Sequence, residues 1–279
     1  MVITSIVNGI ETSEISVKDR ALNYGDGIFE TIAVFGHQLH FWKAHYNRLQ
    51  KGCELLGIKT PSEKSLLTDI QKLSLNDGNS VVKIIVSRGQ GGRGYLADSS
   101  VSPGIIITLN NWPSFVESYR QKGIHTRLCQ HRLIINPVLA GIKHLNRLDQ
   151  VIARNEWHND QIQEGLMLDQ HDCLVEGTAT NLFMKFDKQW VTSAVADCAV
   201  AGITRQAVIN YLNKNNIYIT ERKLKISELD SVTEMFVCNS VWGIVPVLSC
   251  DGYHFEVSDD VRQLQMEYEQ EKEVVSYVV

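Results

Sequence analysis

Little in this chain points to a metal, a membrane or a nucleic acid. Its six cysteines (Cys53, Cys129, Cys173, Cys198, Cys238 and Cys250) include no C-x-x-C pair and no zinc-like spacing. They read as reduced thiols of a cytoplasmic protein. The nine histidines are equally dispersed, without an H-E-x-x-H or H-x-x-x-H pair on a plausible helix, so no metal is expected. Long apolar runs are missing too: none approaches the roughly 18 residues of a membrane span. The N-terminal MVITSIVNGIETSE has no basic residue before Lys18 and no continuous apolar core, so no export leader is expected. Excess positive charge is absent, since 27 Lys and Arg against 32 Asp and Glu leave a net −5 without blocks of one sign. Nucleic acid and anionic membranes are therefore not expected as partners. Proline is scarce, at 5 residues, and there is no internal repeat or low-complexity tract.

What is present is an ordinary globular composition, 44% hydrophobic and 21% charged over 279 residues. At about 150 residues per domain, that length allows two domains or one large one with a core that needs no disulfides. Residues 1–110 read as an N-terminal α/β domain. They hold strands at Ile3–Val7, Gly27–Val34, Val81–Arg88 and Gly104–Leu109 and a helix from Trp42 to Leu56, marked by His45, Leu49, Cys53 and Leu56. Residues 111–121, with Pro113, interrupt the strand pattern and read as a linker. Residues 122–279 form the second domain. Strands are expected at Ile124–Leu133, Gly165–Asp169, Cys173–Glu176, Asn181–Phe186, Glu234–Asn239 and Ile244–Leu248. Helices are expected at Leu145–Trp157, from Gly202 to about Asn215, behind a capping box at Ser227-x-x-Asp230, and at Ser258–Lys272.

Four segments carry candidate chemistry. SRGQGGRGY places Gly89, Gly91 and Gly94 at G-x-G-x-x-G spacing after a strand. However, Leu96-Ala97-Asp98-Ser99-Ser100 leads through Pro103 into another strand, not into the helix a dinucleotide site requires. A strand connection offering Arg88, Arg93 and Tyr95 to a pocket fits better than a nucleotide loop, and a plain loop is the simplest alternative. In LAGIKHLNRLDQ, Lys143 sits at a strand-to-helix junction behind Ala140 and Gly141. A single lysine is usually a solvated surface residue, but one held among apolar neighbours can form a Schiff base with an aldehyde cofactor. In LVEGTATNLF, Glu176 ends a strand five residues before Asn181. It is either a solvated carboxylate or, if buried, the group that keeps a pyridine nitrogen protonated. AGITR sets the backbone N–H groups of Ile203 and Thr204 and the Thr204 hydroxyl at a helix N-terminus, as an ordinary cap or a phosphate cradle. Arg48, in HYNRL, is a surface arginine or a bidentate phosphate partner.

Together and in this order, RALNYGDGIFET, HYNRL, LAGIKHLNRLDQ, EGTATNLF, AGITR and CNSVWGIVPV resemble the fold-type IV pyridoxal-phosphate enzymes over nearly the whole chain. That family includes branched-chain and D-amino-acid aminotransferases and aminodeoxychorismate lyase. The resemblance implies an α+β protein of two α/β domains with pyridoxal 5'-phosphate between them, acting as a homodimer on a small molecule. It assigns Lys143 to the Schiff base, Glu176 to the pyridine nitrogen and Arg48, Ile203 and Thr204 to the phosphate, with Asn239 and Ser240 as weaker phosphate candidates. LAGIKHLNRL, SRGQGGRGY and GDGIFET are most similar to the lyase branch, which converts 4-amino-4-deoxychorismate to 4-aminobenzoate and pyruvate for folate synthesis. There Thr31 would act as proton donor, and Arg93, beside Tyr95, would suit the substrate carboxylates. Branched-chain aminotransferases typically carry a tyrosine five positions after the lysine, where this chain has Leu148. An aminotransferase on the same scaffold is the main alternative, and a non-catalytic cofactor-binding protein is a lesser one.

Overall fold

A computed structural model describes residues 4–98, 100–274 and 276–279. Ile3, expected in the first strand, and Ser99, on the exit from the glycine-rich loop, lie outside the described residues. The chain forms two compact units, Met1–Pro113 with Ile142–Asn146 and Lys272–Val279, and Ser114–Gly141 with Arg147–Glu271.

The first unit is built on an antiparallel sheet of β1 (Ser5–Val7), β2 (Ile10–Glu11), β3 (Gly27–Phe35), β4 (Gln38–Leu39), β5 (Asn79–Ser87) and β6 (Gly104–Asn111). Tyr277–Val278 adds a short edge strand on β4, giving the order Tyr277–Val278, β4, β3, β5, β6, β1, β2. The β-branched run of β5 suits its place between β3 and β6, where both neighbours pair with it along its length. Three helices complete the unit: α1 (Arg20–Tyr24), α2 (Trp42–Leu56) and α3 (Glu63–Ile70). The buried face of α2 carries Trp42, His45, Leu49 and Cys53 at three- and four-residue spacing, and the helix stops at Gly57 in a left-handed cap.

In the second unit the described residues form a mixed sheet of β7 (Ile124–Leu133), β8 (Glu164–Asp169), β9 (Cys173–Gly177), β10 (Asn181–Phe186), β11 (Gln189–Ser193), β12 (Ile219–Arg222), β13 (Leu224–Lys225), β14 (Glu234–Asn239), β15 (Gly243–Cys250) and β16 (Tyr253–His254). The order is β12, β11, β10, β14, β15, β7, β8, β9, β13, with β16 paired to β15. Leu166, Leu168, Leu174, Leu182, Val237 and Val245 fill its core. Around it lie α4 (Val116–Lys122), α5 (Leu148–Arg154), α6 (Ile203–Lys214) and α7 (Asp259–Val274). The architecture is α+β, as the sequence implied. Among the described residues no helix is long and apolar enough to cross a membrane.

Three local expectations need revision. The helix expected over Leu145–Trp157 is only Leu148–Arg154, because the residues before it are not helical and His144 bridges to Ile28 of β3: Phe29 N–H donates to Lys143 O (2.9 Å) and Leu145 N–H to Gly27 O (2.9 Å). The box expected at Ser227 and Asp230 forms instead through Glu228, whose Oε2 accepts from Lys225 N–H (2.8 Å) at the start of a 3₁₀ helix, Ile226–Ser231. Within 111–121, expected as a linker, α4 begins at Val116, held by edge-on contacts of the Phe115 and Tyr119 rings with Trp242.

Gly27 makes the extended lysine segment possible. A Cβ there would lie 2.5 Å from Val86 O and 2.8 Å from Leu145 Cδ1. Gly27→Ala should therefore push β3 away from both neighbours and cost about 1–3 kcal/mol, read as a lower urea midpoint. An unchanged midpoint would contradict this account of the packing.

Candidate active site

The first unit assembles a buried charge cluster from β3 and α2. Alternation along β3 puts Ile28, Glu30 and Ile32 on one buried face and Phe29 and Thr31 on the other. Glu30 grips Arg48 with both oxygens, Nε to Oε1 at 2.8 Å and Nη2 to Oε2 at 2.6 Å, and Oε2 also meets His45 Nδ1 at 2.6 Å. Burial alone would raise the Glu30 carboxyl, but the charge and hydrogen bonds of Arg48, with the hydrogen bond to His45, hold it down to about 2. Burial holds His45 below its ordinary value despite Glu30, with the charges of Arg48 and Lys143 adding to that effect. The neutral ring then donates Nδ1–H to Glu30 and leaves Nε2 as an acceptor, which has no hydrogen-bond partner among the described residues.

Lys143 lies on the extended segment beside β3, not at a helix start, with Nζ 4.6 Å from the centre of the Phe29 ring. Thr31 shares that face of β3 with Phe29, and pairs in register with Lys83 on β5. The sequence-expected Lys143, Thr31 and Arg48 thus come from one strand and its two neighbours, with Arg48 on the Glu30 side. Arg93 and Tyr95 stand apart on the glycine-rich loop, where Arg93 is exposed and Tyr95 is 87% exposed. Arg20 shapes this loop, donating to the carbonyls of Gly94 (3.0 Å) and Tyr95 (2.9 Å) while pairing with Asp26 (2.8 Å). Arg88 binds the same carboxylate at 2.7 Å.

The second unit gathers the other expected residues around a three-residue hub, Ala199–Ala201. Gly141 N–H donates to Ala199 O (2.8 Å) and Ala201 N–H to Gly141 O (3.1 Å). Between them, Val200 N–H donates to Oε2 of the buried Glu176 (2.9 Å), while Asn181 Nδ2 donates to Val200 O (2.9 Å). Arg147 faces Glu176: burial pushes its guanidinium down, and the Glu176 charge acts against that. Gly202 follows and caps α6 without a side-chain hydrogen bond, so the first-turn N–H groups of Ile203 and Thr204 keep the donor character of a helix start. The Thr204 hydroxyl lies 3.0 Å from the buried Tyr268 hydroxyl. Asn239 braces two turns, donating from Nδ2 to Ala179 O (3.1 Å) and accepting at Oδ1 from Val241 and Trp242 N–H (2.9 and 2.7 Å), with Ser240 half-buried beside it.

Three participants escaped the sequence reading. Glu30 had a signal: a lone carboxylate on the apolar face between Ile28 and Ile32, with His45 and Arg48 three apart on α2. Asn181 was seen only as a neighbour of Glu176. Glu164 carried no sequence signal, yet its buried carboxylate accepts from Thr178 N–H (3.1 Å) and Oγ1 (2.5 Å), Ala179 N–H (3.2 Å) and Thr180 Oγ1 (3.1 Å), fixing the loop after Glu176. Among the described residues no group of His, Cys, Asp and Glu is arranged to hold a metal.

Residues 27–250 match the family model described as amino-transferase class IV. The chain belongs to that family. It is 37% identical to the crystal structure of 4-amino-4-deoxychorismate lyase from Pseudomonas aeruginosa, covering 95% of this chain and 98% of that one with a TM-score of 0.90. It is also 32% identical to an aminodeoxychorismate lyase of Vibrio harveyi, over 86% of this chain and 89% of that protein. A branched-chain amino acid aminotransferase from Escherichia coli shares the fold, at 23% identity and a TM-score of 0.84, covering 96% and 94% of the two chains.

Glu30 carries the clearest testable consequence of this geometry. Glu30→Gln removes the buried charge that Arg48 pairs with and should cost about 3–5 kcal/mol in a denaturant titration. The sign with pH follows from the lowered carboxyl. Glu30's contribution is complete above its ordinary value of 4.5 and lost as pH falls through about 2, so the variant should lack that part of the parent's acid destabilisation. Equal acid sensitivity in both proteins would contradict the assignment.

Proposed function

We propose that the chain is a pyridoxal-phosphate-dependent lyase that converts 4-amino-4-deoxychorismate to 4-aminobenzoate and pyruvate, as expected in folate synthesis. The observation that carries this reading is the 37% identity to the Pseudomonas lyase over nearly the full length of both chains. The residues fit the cofactor. Lys143 supplies an amine over an aromatic face, Glu176 is a buried carboxylate fixed by a backbone N–H, and the first turn of α6 is left open by its glycine cap.

When bound, the cofactor supplies an aldehyde for the substrate amine and a ring that accepts an electron pair. Glu176 keeps the pyridine nitrogen protonated by its opposite charge. Ile203, Thr204 and Arg48 would bind the phosphate, Arg48 by its positive charge with Glu30 orienting the guanidinium, with Asn239 and Ser240 as additional candidates. The Lys143 amine removes the proton at substrate C4. As the C–O bond to the enolpyruvyl group breaks and the ring becomes aromatic, the Thr31 hydroxyl delivers a proton to the departing enolpyruvate, directly or through water. Arg93 on its loop, with Tyr95, meets the substrate carboxylates. This local positive charge matters in a chain of net charge −5.

The active form is a homodimer. Leu148 is 74% exposed and Val151 and Ile152 50% each on α5, an apolar stripe that a second copy would cover. Six free cysteines fit a reducing cytoplasm.

The test is to follow 4-aminobenzoate fluorescence after mixing cofactor-loaded protein with fresh aminodeoxychorismate. Product should form in the parent, fall to background in Lys143→Ala, and fall about 100-fold in Glu176→Gln with cofactor still bound. No product, together with pyruvate from D-alanine plus 2-oxoglutarate, would replace the lyase with an aminotransferase on the same scaffold.

A further inference from the structure

The hub at Ala199–Ala201 joins Glu176 to the start of α6, and the Asn181 side chain bonds to it. Val200 N–H holds Glu176 at 2.9 Å, Gly141, two residues before Lys143, pairs with Ala199 and Ala201, and Gly202 opens α6. These contacts are backbone to backbone or run to Glu176 itself, except for the Asn181 carboxamide. Its Nδ2 donates to Val200 O at 2.9 Å, and its Oδ1 lies against Gly202 so closely that a Cβ at 202 would sit 1.9 Å away. The same amide therefore holds the Val200–Ala201 peptide, next to the one that presents an N–H to Glu176, and lies against the residue that caps α6. The φ of Gly202, −65°, suits any residue, so Asn181 rather than the backbone is what excludes a side chain there.

We propose that Asn181 is a positioning residue that sets the Glu176 carboxylate and the first turn of α6 in register, so that both grip one cofactor molecule. This rests on the cofactor reading above. Without the carboxamide, Val200 O loses its donor and the 199–202 segment is free to shift. The carboxylate and the helix start then no longer act together, and the phosphate adds less to binding than it does in the parent.

The experiment titrates apo-protein with pyridoxal phosphate and, separately, with pyridoxal, which lacks the phosphate, following the absorbance of the bound form. It compares the parent, Asn181→Ala, Gly202→Ala and the double variant, with the melting temperature of each apo-protein. In Asn181→Ala the preference for the phosphorylated over the unphosphorylated ligand should fall about tenfold, as expected for loss of one buried hydrogen bond. Gly202→Ala should show a similar loss through its clash with Oδ1. The double variant should be no worse than Asn181→Ala, because removing the carboxamide removes the clash. A purely structural role would weaken both ligands in equal proportion with a lower melting temperature, and that result, an unchanged preference, or additive losses would overturn the proposal. A parent that takes up no pyridoxal phosphate would remove the cofactor reading itself, and the proposal with it.

Discussion

The pairing of Ile142–Asn146 along β3 is the constraint on which the lysine depends. Two backbone hydrogen bonds, at 2.9 Å each, fix the peptides on either side of His144 and so aim Lys143 from a bridge to β3 instead of a helix. A helical lysine would swing with its helix. An extended one, flanked by a strand that must carry Gly27 to let it approach, is held in two dimensions before its side chain makes any contact. The cation over the Phe29 ring adds to that placement.

Buried carboxylates organise much of the rest, and each has a different set of donors. Glu30 is met by Arg48 and His45 and stays ionised. Glu164 is met by neutral hydroxyls and peptide N–H groups, and burial pushes its carboxyl up against their pull. Glu176 accepts from the Val200 N–H, and its charge acts on Arg147. The contrast follows from what each must do. The first orients a cationic fork, the second ties down a loop, and the third is tied to the backbone of the Ala199–Ala201 segment.

Much of the fold was legible because its signals are local. The helix Trp42–Leu56 and the strands Ile124–Leu133, Asn181–Phe186 and Glu234–Asn239 have the bounds their periodicity implies. The start of α5 was not, because Leu145 has a helix-like spacing to Leu148 and Val151, yet it is claimed by β3 more than a hundred residues earlier. Short strands such as β12 and β13 escaped for the same reason: their pairing, not their composition, defines them. At the site, motif residues were readable one by one, whereas their partners were not. Nothing in HYNRL says that Arg48 will share a carboxylate with His45, and nothing in EGTATN says that Asn181 will reach Val200 and Gly202. Such partnerships are created by tertiary approach and leave only faint marks, such as a glutamate on an apolar strand face.

The central claim, that Lys143 is the residue that bonds the cofactor aldehyde, has a direct test. Protein loaded with pyridoxal phosphate would be reduced with borohydride, which makes the lysine–cofactor bond permanent, then digested and mapped by mass spectrometry. The account predicts a single phosphopyridoxyl group on the peptide that contains Lys143. A label on another lysine, such as Lys83 across the same Phe29 ring, would contradict it.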